Sequence, residues 1–152
     1  MKAKLFAVIL LLAVVTITTP SFARVKQNAP KANSYEAIEL NRLIGLASDN
    51  TGLKVSCAFN LGKMKSQKAV IPLMQLLRNG STEEERIIAA LSLIKIGDAQ
   101  GVYMVGRSGV FNDFEKTRRM CGKFYQSFLI HQYLKTQPGQ TDESNEVSLN
   151  LL

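Results

Sequence analysis

Residues 57–64 read Cys57-Ala58-Phe59-Asn60-Leu61-Gly62-Lys63-Met64, and residues 89–96 read Ala89-Ala90-Leu91-Ser92-Leu93-Ile94-Lys95-Ile96. The two phrases lie 32 residues apart and match in character at six of their eight positions. Small residues fall on small ones at Cys57/Ala89 and Ala58/Ala90. Large apolar residues fall on large apolar ones at Phe59/Leu91, Leu61/Leu93 and Met64/Ile96, and Lys63 falls on Lys95. A repeat of this period is the mark of stacked helical units, each too small to bury its apolar face alone.

The surrounding sequence agrees with helix throughout. Apolar residues recur at three- and four-residue spacing, and no run of five or more residues alternates as a half-buried strand would. Ser34 is placed to cap a first helix from Tyr35 to Ala47, and Asp49-Asn50-Thr51-Gly52 reads as a turn. A second helix is expected from Leu53 to Met64 and a third from Gln67 to Arg78. Pro72 falls near the start of the third, where a missing N–H costs little. Ser81 and Glu84 have the spacing of a capping box for a fourth helix ending at Ile96, with Gly97 as its stop. Asp98 caps a weaker fifth helix to Val105, in which Gly101 lowers helix propensity, as Gly106 does just beyond it. Asn112 or Asp113 opens a long last helix to Lys135.

The order of parts resembles the HEAT-like repeats, including the short form first seen in phycobilisome lyase subunits. One stretch carrying the likeness is Leu53 to Gly62, with Ala69-Val70-Ile71-Pro72-Leu73 and Leu76-Leu77 after it. The other is Arg86 to Asp98, closing Lys95-Ile96-Gly97-Asp98, with Val102 after it. The resemblance covers Tyr35 to Lys135 and implies a short right-handed α-solenoid of about three helix pairs. It also implies a binding scaffold rather than a catalyst, and nothing in it transfers lyase activity. Such repeats carry a basic residue near the start of the second helix, and Lys54, Arg86 and Arg118 hold that place at intervals of 32. At Gly122-Lys123-Phe124-Tyr125 the small-small-apolar step is lost, which reads as a unit that closes the array.

The ends divide the chain further. Lys2 and Lys4, the apolar run Leu5 to Val15, and Ser21-Phe22-Ala23 have the layout of a secretory signal over residues 1–23, with cleavage near Ala23. That places the protein in the periplasm or outside the cell. The apolar run is too short for a stable membrane span. Residues 24–33 read as a flexible leader, 34–135 as the repeat domain, and 136–152 as a disordered acidic tail. Cleavage leaves 17 basic against 12 acidic residues. The tail holds Asp142, Glu143 and Glu146 with no Lys or Arg, so the body is left with a net charge of +8. A basic body beside an acidic tail suggests an anionic partner, a tail that folds back on its body, or simple solubility. Nucleic acid, the usual partner of a basic intracellular chain, does not fit an exported one.

Few residues suggest chemistry. Two cysteines in an exported chain invite a disulfide. However, Cys57 and Cys121 lie two periods apart, so they hold equivalent positions in units one and three. Helices packed about 8–10 Å apart would separate them by roughly 20 Å, whereas a disulfide needs Cα atoms within about 7 Å. Two free, buried thiols are expected. His131 is the only histidine, the ligand types for a structural zinc are too few, and no phosphate loop is present. No cofactor, metal or catalytic residue is expected. The candidate partner-binding residues are Lys54, Arg86 and Arg118 along one edge, Lys63, Lys65 and Lys68 after the second helix, Lys95 one unit on, and Tyr125 in the closing unit. Each ladder residue either faces a partner or hydrogen-bonds a carbonyl or acid of the neighbouring unit. Of the aromatic and apolar residues Tyr125, Phe128, Tyr133 and Leu134, some must stay exposed, since both faces of the last helix cannot be buried in one stack. The expected function is an exported scaffold that binds another protein and is not an enzyme. The alternatives are a self-associating structural module and, more remotely, a thiol-containing enzyme.

Overall fold

A computed structural model describes residues 34–136. Residues 1–33 and 137–152 lie outside the described residues, as do the expectations of a signal, a leader and a tail that concern them. Six α-helices are packed together, and no strand occurs among the described residues. They are α1 (Tyr35–Gly45), α2 (Thr51–Lys63), α3 (Val70–Asn79), α4 (Glu83–Ile96), α5 (Ala99–Phe111) and α6 (Glu115–Thr136), with a single 3₁₀ turn at Gln67–Ala69 ahead of α3.

Local chemistry sets each boundary. The Ser34 hydroxyl accepts from the Ala37 N–H at 3.2 Å and starts α1. The helix stops at Gly45, two residues short of the expected end. There the last turn tightens, with Ala47 and Ser48 N–H bonding the carbonyls of Ile44 and Gly45. Asn50, inside the stretch read as a turn, caps α2 by accepting from the Leu53 N–H at 2.9 Å, so α2 begins at Thr51 rather than Leu53. The expected capping box at Ser81 and Glu84 is corrected by one residue. Thr82 caps Glu85 N–H at 3.2 Å, and the Glu85 carboxylate reaches back to the Ser81 N–H at 2.8 Å. Gly97 ends α4 in the left-handed region (φ 77°), as a stop glycine should.

The end of α2 was not legible as a cap. Ser66 N–H bonds Leu61 O and Lys65 N–H bonds Gly62 O, both at 3.1 Å. That pair of bonds is a Schellman closure, and it requires a left-handed residue at the position Lys65 occupies. Lys65 holds it at φ 51°, the only non-glycine residue with positive φ among those described. A side chain there costs about 1 kcal/mol. Lys65→Gly is therefore expected to raise stability by about 0.5–1 kcal/mol despite the added freedom of the unfolded chain. A shift of the urea midpoint to higher concentration at unchanged slope checks it.

α4 is the centre of the molecule and packs against α2, α3, α5 and α6. α1 lies on α2, α3 also touches α5, and α5 lies along α6. The direction of packing follows from residue pairs. Lys54 meets Glu85 and Ala58 meets Ser92, so α2 and α4 run parallel. Gly106 meets Tyr125 and Gly109 meets Gly122, so α5 and α6 run antiparallel. The tight turn at Gly97 reverses the chain between α4 and α5, bringing Gly101 back against Leu93, which leaves α6 parallel to α4. The core holds Leu61, Leu73, Leu77, Leu93 and Val105, all with no solvent exposure. Each large aliphatic side chain so buried contributes roughly 1.5–3 kcal/mol.

α5 runs to Phe111, beyond the expected Val105. Its glycines weaken an isolated helix, but here each lets a neighbour come close. A Cβ on Gly101 would fall 2.9 Å from Leu93, on Gly106 3.1 Å from the Tyr125 ring, and on Gly109 3.1 Å from the Gly122 backbone. Packing against α4 and α6 overrides propensity. Asn112 then closes α5 instead of opening α6. It is buried, donates to Leu77 O at 3.4 Å and accepts from the Phe114 N–H at 3.1 Å.

Candidate functional site

The basic ladder turns inward. Lys54, on α2, makes an ion pair with Glu85 of α4 at 2.9 Å. Arg86, on α4, donates to Gly80 O at 2.7 Å and Asn112 Oδ1 at 3.3 Å, pairs with Asp113 at 3.5 Å, and stacks 4.6 Å from the Phe114 ring centroid. Arg118, on α6, donates to the carbonyls of Asn112 at 2.6 Å and Asp113 at 3.3 Å. Lys54 and Arg86 thus hydrogen-bond or pair with the next helix pair, while Arg118 fastens the loop before its own helix. Thr117 stands 32 residues after Glu85, so Arg86 has no buried acid to meet and takes Asp113 instead.

Glu85 has no solvent exposure. Its burial opposes the charge, but the Lys54 ammonium, the Ser81 N–H and the Thr51 hydroxyl outweigh that and hold its carboxyl below the usual range. The pair sits at the base of a groove of about 380 Å³ between α1 and α3, walled by Leu43, Leu46, Pro72 and Leu76.

Lys68 is also engaged. Its ammonium lies 3.0 Å from Glu39, which in turn accepts from the Ser66 hydroxyl. The Ser66 hydrogen bond, then Lys68, lower the Glu39 carboxyl, and the hydrogen bond to Glu39 raises the Lys68 ammonium. The cluster ties α1 to the turn after α2, assisted by the Tyr35 hydroxyl donating to Met64 O at 2.9 Å. Tyr125 is half-buried with its ring against Gly106.

Lys63, Lys65 and Lys95 remain. Among the described residues none of the three forms an ion pair. Lys63 and Lys95 both lie over the ring of Phe59, at 5.8 and 5.3 Å from its centroid. Phe59 is 37% exposed although it stands where the repeat places the buried Leu91. The result is an exposed aromatic ring flanked by two cations from adjacent parallel helices, a surface suited to a carboxylate next to an apolar group. Sequence reasoning aligned Phe59 with Leu91 but did not single it out as a surface residue. The signal was present: Lys63 is one helical turn beyond Phe59, and the repeat brings Lys95 alongside Lys63.

Cys57 and Cys121 are both free and buried, as the repeat implied. Cys57 packs against Gly45, where a Cβ would collide with its sulfur. Burial pushes the Cys121 thiol up to about 12, so at neutral pH it is a protonated, poorly nucleophilic group. Among the described residues no three His, Cys, Asp or Glu side chains gather at one point, and no helix is long and apolar enough to cross a membrane. A scan against protein-family models and a search of curated proteins both return no match.

Proposed function

We propose that this chain is an exported helical-repeat scaffold, a short right-handed α-solenoid of three HEAT-like helix pairs, that binds another protein and performs no catalysis. The parallel packing of α2 on α4, with contacts 31 and 34 residues apart on either side of the 32-residue spacing, supports the repeat reading. The single observation that carries the binding surface is the exposed Phe59 ring between Lys63 and Lys95. Of the candidate basic residues, Lys54, Lys68, Arg86 and Arg118 hold helices and turns in place, which leaves Lys63, Lys65 and Lys95 open to a partner, two of them over the Phe59 ring. Its chemistry selects an acidic segment bearing an apolar side chain.

The test is capture from an envelope fraction with three proteins: the wild type, Lys63→Glu/Lys95→Glu, and Arg107→Glu/Lys116→Glu, exposed on α5 and at the start of α6, as a charge-matched control. Capture is expected to fall at least about tenfold in the first variant, in line with loss of two partly desolvated charge contacts, and to persist in the control. Retained capture by Lys63→Glu/Lys95→Glu would sink the proposal.

A second reading is favoured by a different observation. Tyr103 and Val110 of α5 and Leu129, Ile130 and Tyr133 of α6 are all exposed on the last helix pair. Such a surface suits self-association. A monomeric mass in light scattering across working concentrations would remove that reading.

A further inference from the structure

We propose that the acidic segment Asp142–Leu149 of this same chain docks on the Phe59 patch, so that an outside partner must displace it. The inference rests on reading that patch as the binding surface. α2, α4 and α6 run parallel, so the chain leaves α6 at the edge where α2 and α4 end, the edge that carries Lys63, Lys65 and Lys95. By the 32-residue register the end of α4 at Ile96 corresponds to Phe128, and α6 continues eight residues further to Thr136. That extra length rises about 12 Å above the patch. With helices about 10 Å apart, Lys95 lies roughly 16 Å and Lys63 roughly 23 Å from the point of exit.

The chain beyond Thr136 is long enough. A fully extended segment covers at most about 3.3 Å per residue, so six residues to Asp142 reach about 20 Å and ten to Glu146 reach about 33 Å. The first acid meets the nearer lysine and the last meets the farther one. The segment carries Asp142, Glu143 and Glu146, no Lys or Arg, and then Val147 and Leu149. Carboxylates followed by aliphatic side chains match two ammonium groups beside an exposed aromatic ring. A tether this short holds the acids at a millimolar effective concentration, enough for individually weak contacts to be occupied.

Two measurements on the full chain test the proposal. Zero-length carbodiimide coupling, followed by peptide mass spectrometry of the monomer fraction, is expected to join Asp142, Glu143 or Glu146 to Lys63 or Lys95. Links confined to Lys123 and Lys135, or no links, would overturn it. The second measurement is affinity for a poly-glutamate peptide at low salt. Asp142→Asn/Glu143→Gln/Glu146→Gln is expected to bind at least about threefold more tightly than the wild type, since competition from the tether is removed. The difference should vanish near 0.5 M salt as charges are screened. If the triple variant and the wild type bind equally, while Lys63→Glu/Lys95→Glu abolishes binding in both, the docking proposal falls and the patch stands. If Lys63→Glu/Lys95→Glu leaves peptide binding intact, the patch itself is wrong.

Discussion

Replacing Gly62 with leucine is expected to destabilise the protein by about 3 kcal/mol, whereas Gly122→Ala is expected to stabilise it by about 0.5–1 kcal/mol. Both glycines lie inside helices, so loss of glycine favours both substitutions by up to about 1 kcal/mol. Their surroundings reverse the outcome at one of them. A Cβ on Gly62 would fall 2.7 Å from Ser92 Cα and 2.8 Å from Ser92 Cβ and Oγ. Because one of those atoms is backbone, a side chain cannot simply rotate away, and α2 and α4 must separate by about 1 Å to restore ordinary contact. Separation also strains the bond from the buried Ser92 hydroxyl to Ala58 O, 2.8 Å long. Overpacking of this kind costs about 1–3 kcal/mol, and loss of a buried hydroxyl's partner adds about 1 kcal/mol or more. At Gly122 a Cβ meets nothing within 4 Å, so only the backbone term remains. Urea unfolding of the two variants should move the midpoint in opposite directions. A Gly62→Leu midpoint near wild type would mean that α2 and α4 are not closely packed at this crossing.

These two positions also explain how far the sequence could be read. The small-small step at Cys57-Ala58 and Ala89-Ala90 is where parallel helices approach, so a repeat in the sequence became a packing contact between α2 and α4. Cys121-Gly122 has the same spacing on α6, where a Cβ on Gly122 meets nothing within 4 Å. The ladder of Lys54, Arg86 and Arg118 was visible as a spacing, but its direction was not. Whether a lysine points to solvent or to a buried acid depends on a residue 31 positions away, Glu85, which looks like one more charge in a helix's first turn. Likewise Lys65 gave no sign of a left-handed turn, since lysine has no preference for it; the Schellman bonds of Leu61 and Gly62 impose it. Phe59 aligns with Leu91, which is buried, yet is itself 37% exposed. It stays partly exposed because it lies on α2, which has α4 on one side and no preceding parallel helix among the described residues on the other. Contacts that follow the 32-residue spacing were legible, and those set by which helices flank a residue were not.

Lys54→Met is expected to cost about 2–3 kcal/mol at neutral pH, and more than Glu85→Gln. The asymmetry follows from burial. Glu85 has no exposed side-chain surface, while Lys54 keeps 16%. Without Lys54 the carboxylate is left charged in a buried site with the Ser81 N–H as its hydrogen-bond partner. Removing one member of a buried pair is costly for that reason. Without Glu85's charge, the Lys54 ammonium can swing its flexible stem toward the groove and water, for a loss of about 1 kcal/mol. The acid side gives the sign. In the wild type the folded-state carboxyl is lowered from its ordinary 4.5. The stability it contributes is therefore complete above that value and is lost as pH falls through the folded pKa. In Lys54→Met burial is no longer outweighed, the folded carboxyl moves up instead, and its penalty is relieved as pH falls. The stability gap between the two proteins should then be widest at neutral pH and should narrow on acidification. Adding Glu85→Gln to Lys54→Met should recover most of the loss at pH 7 and remove the extra pH dependence. Equal costs for the two single variants, with parallel pH profiles, would show that the pair behaves as a solvated surface contact rather than a buried tie between the first two helix pairs.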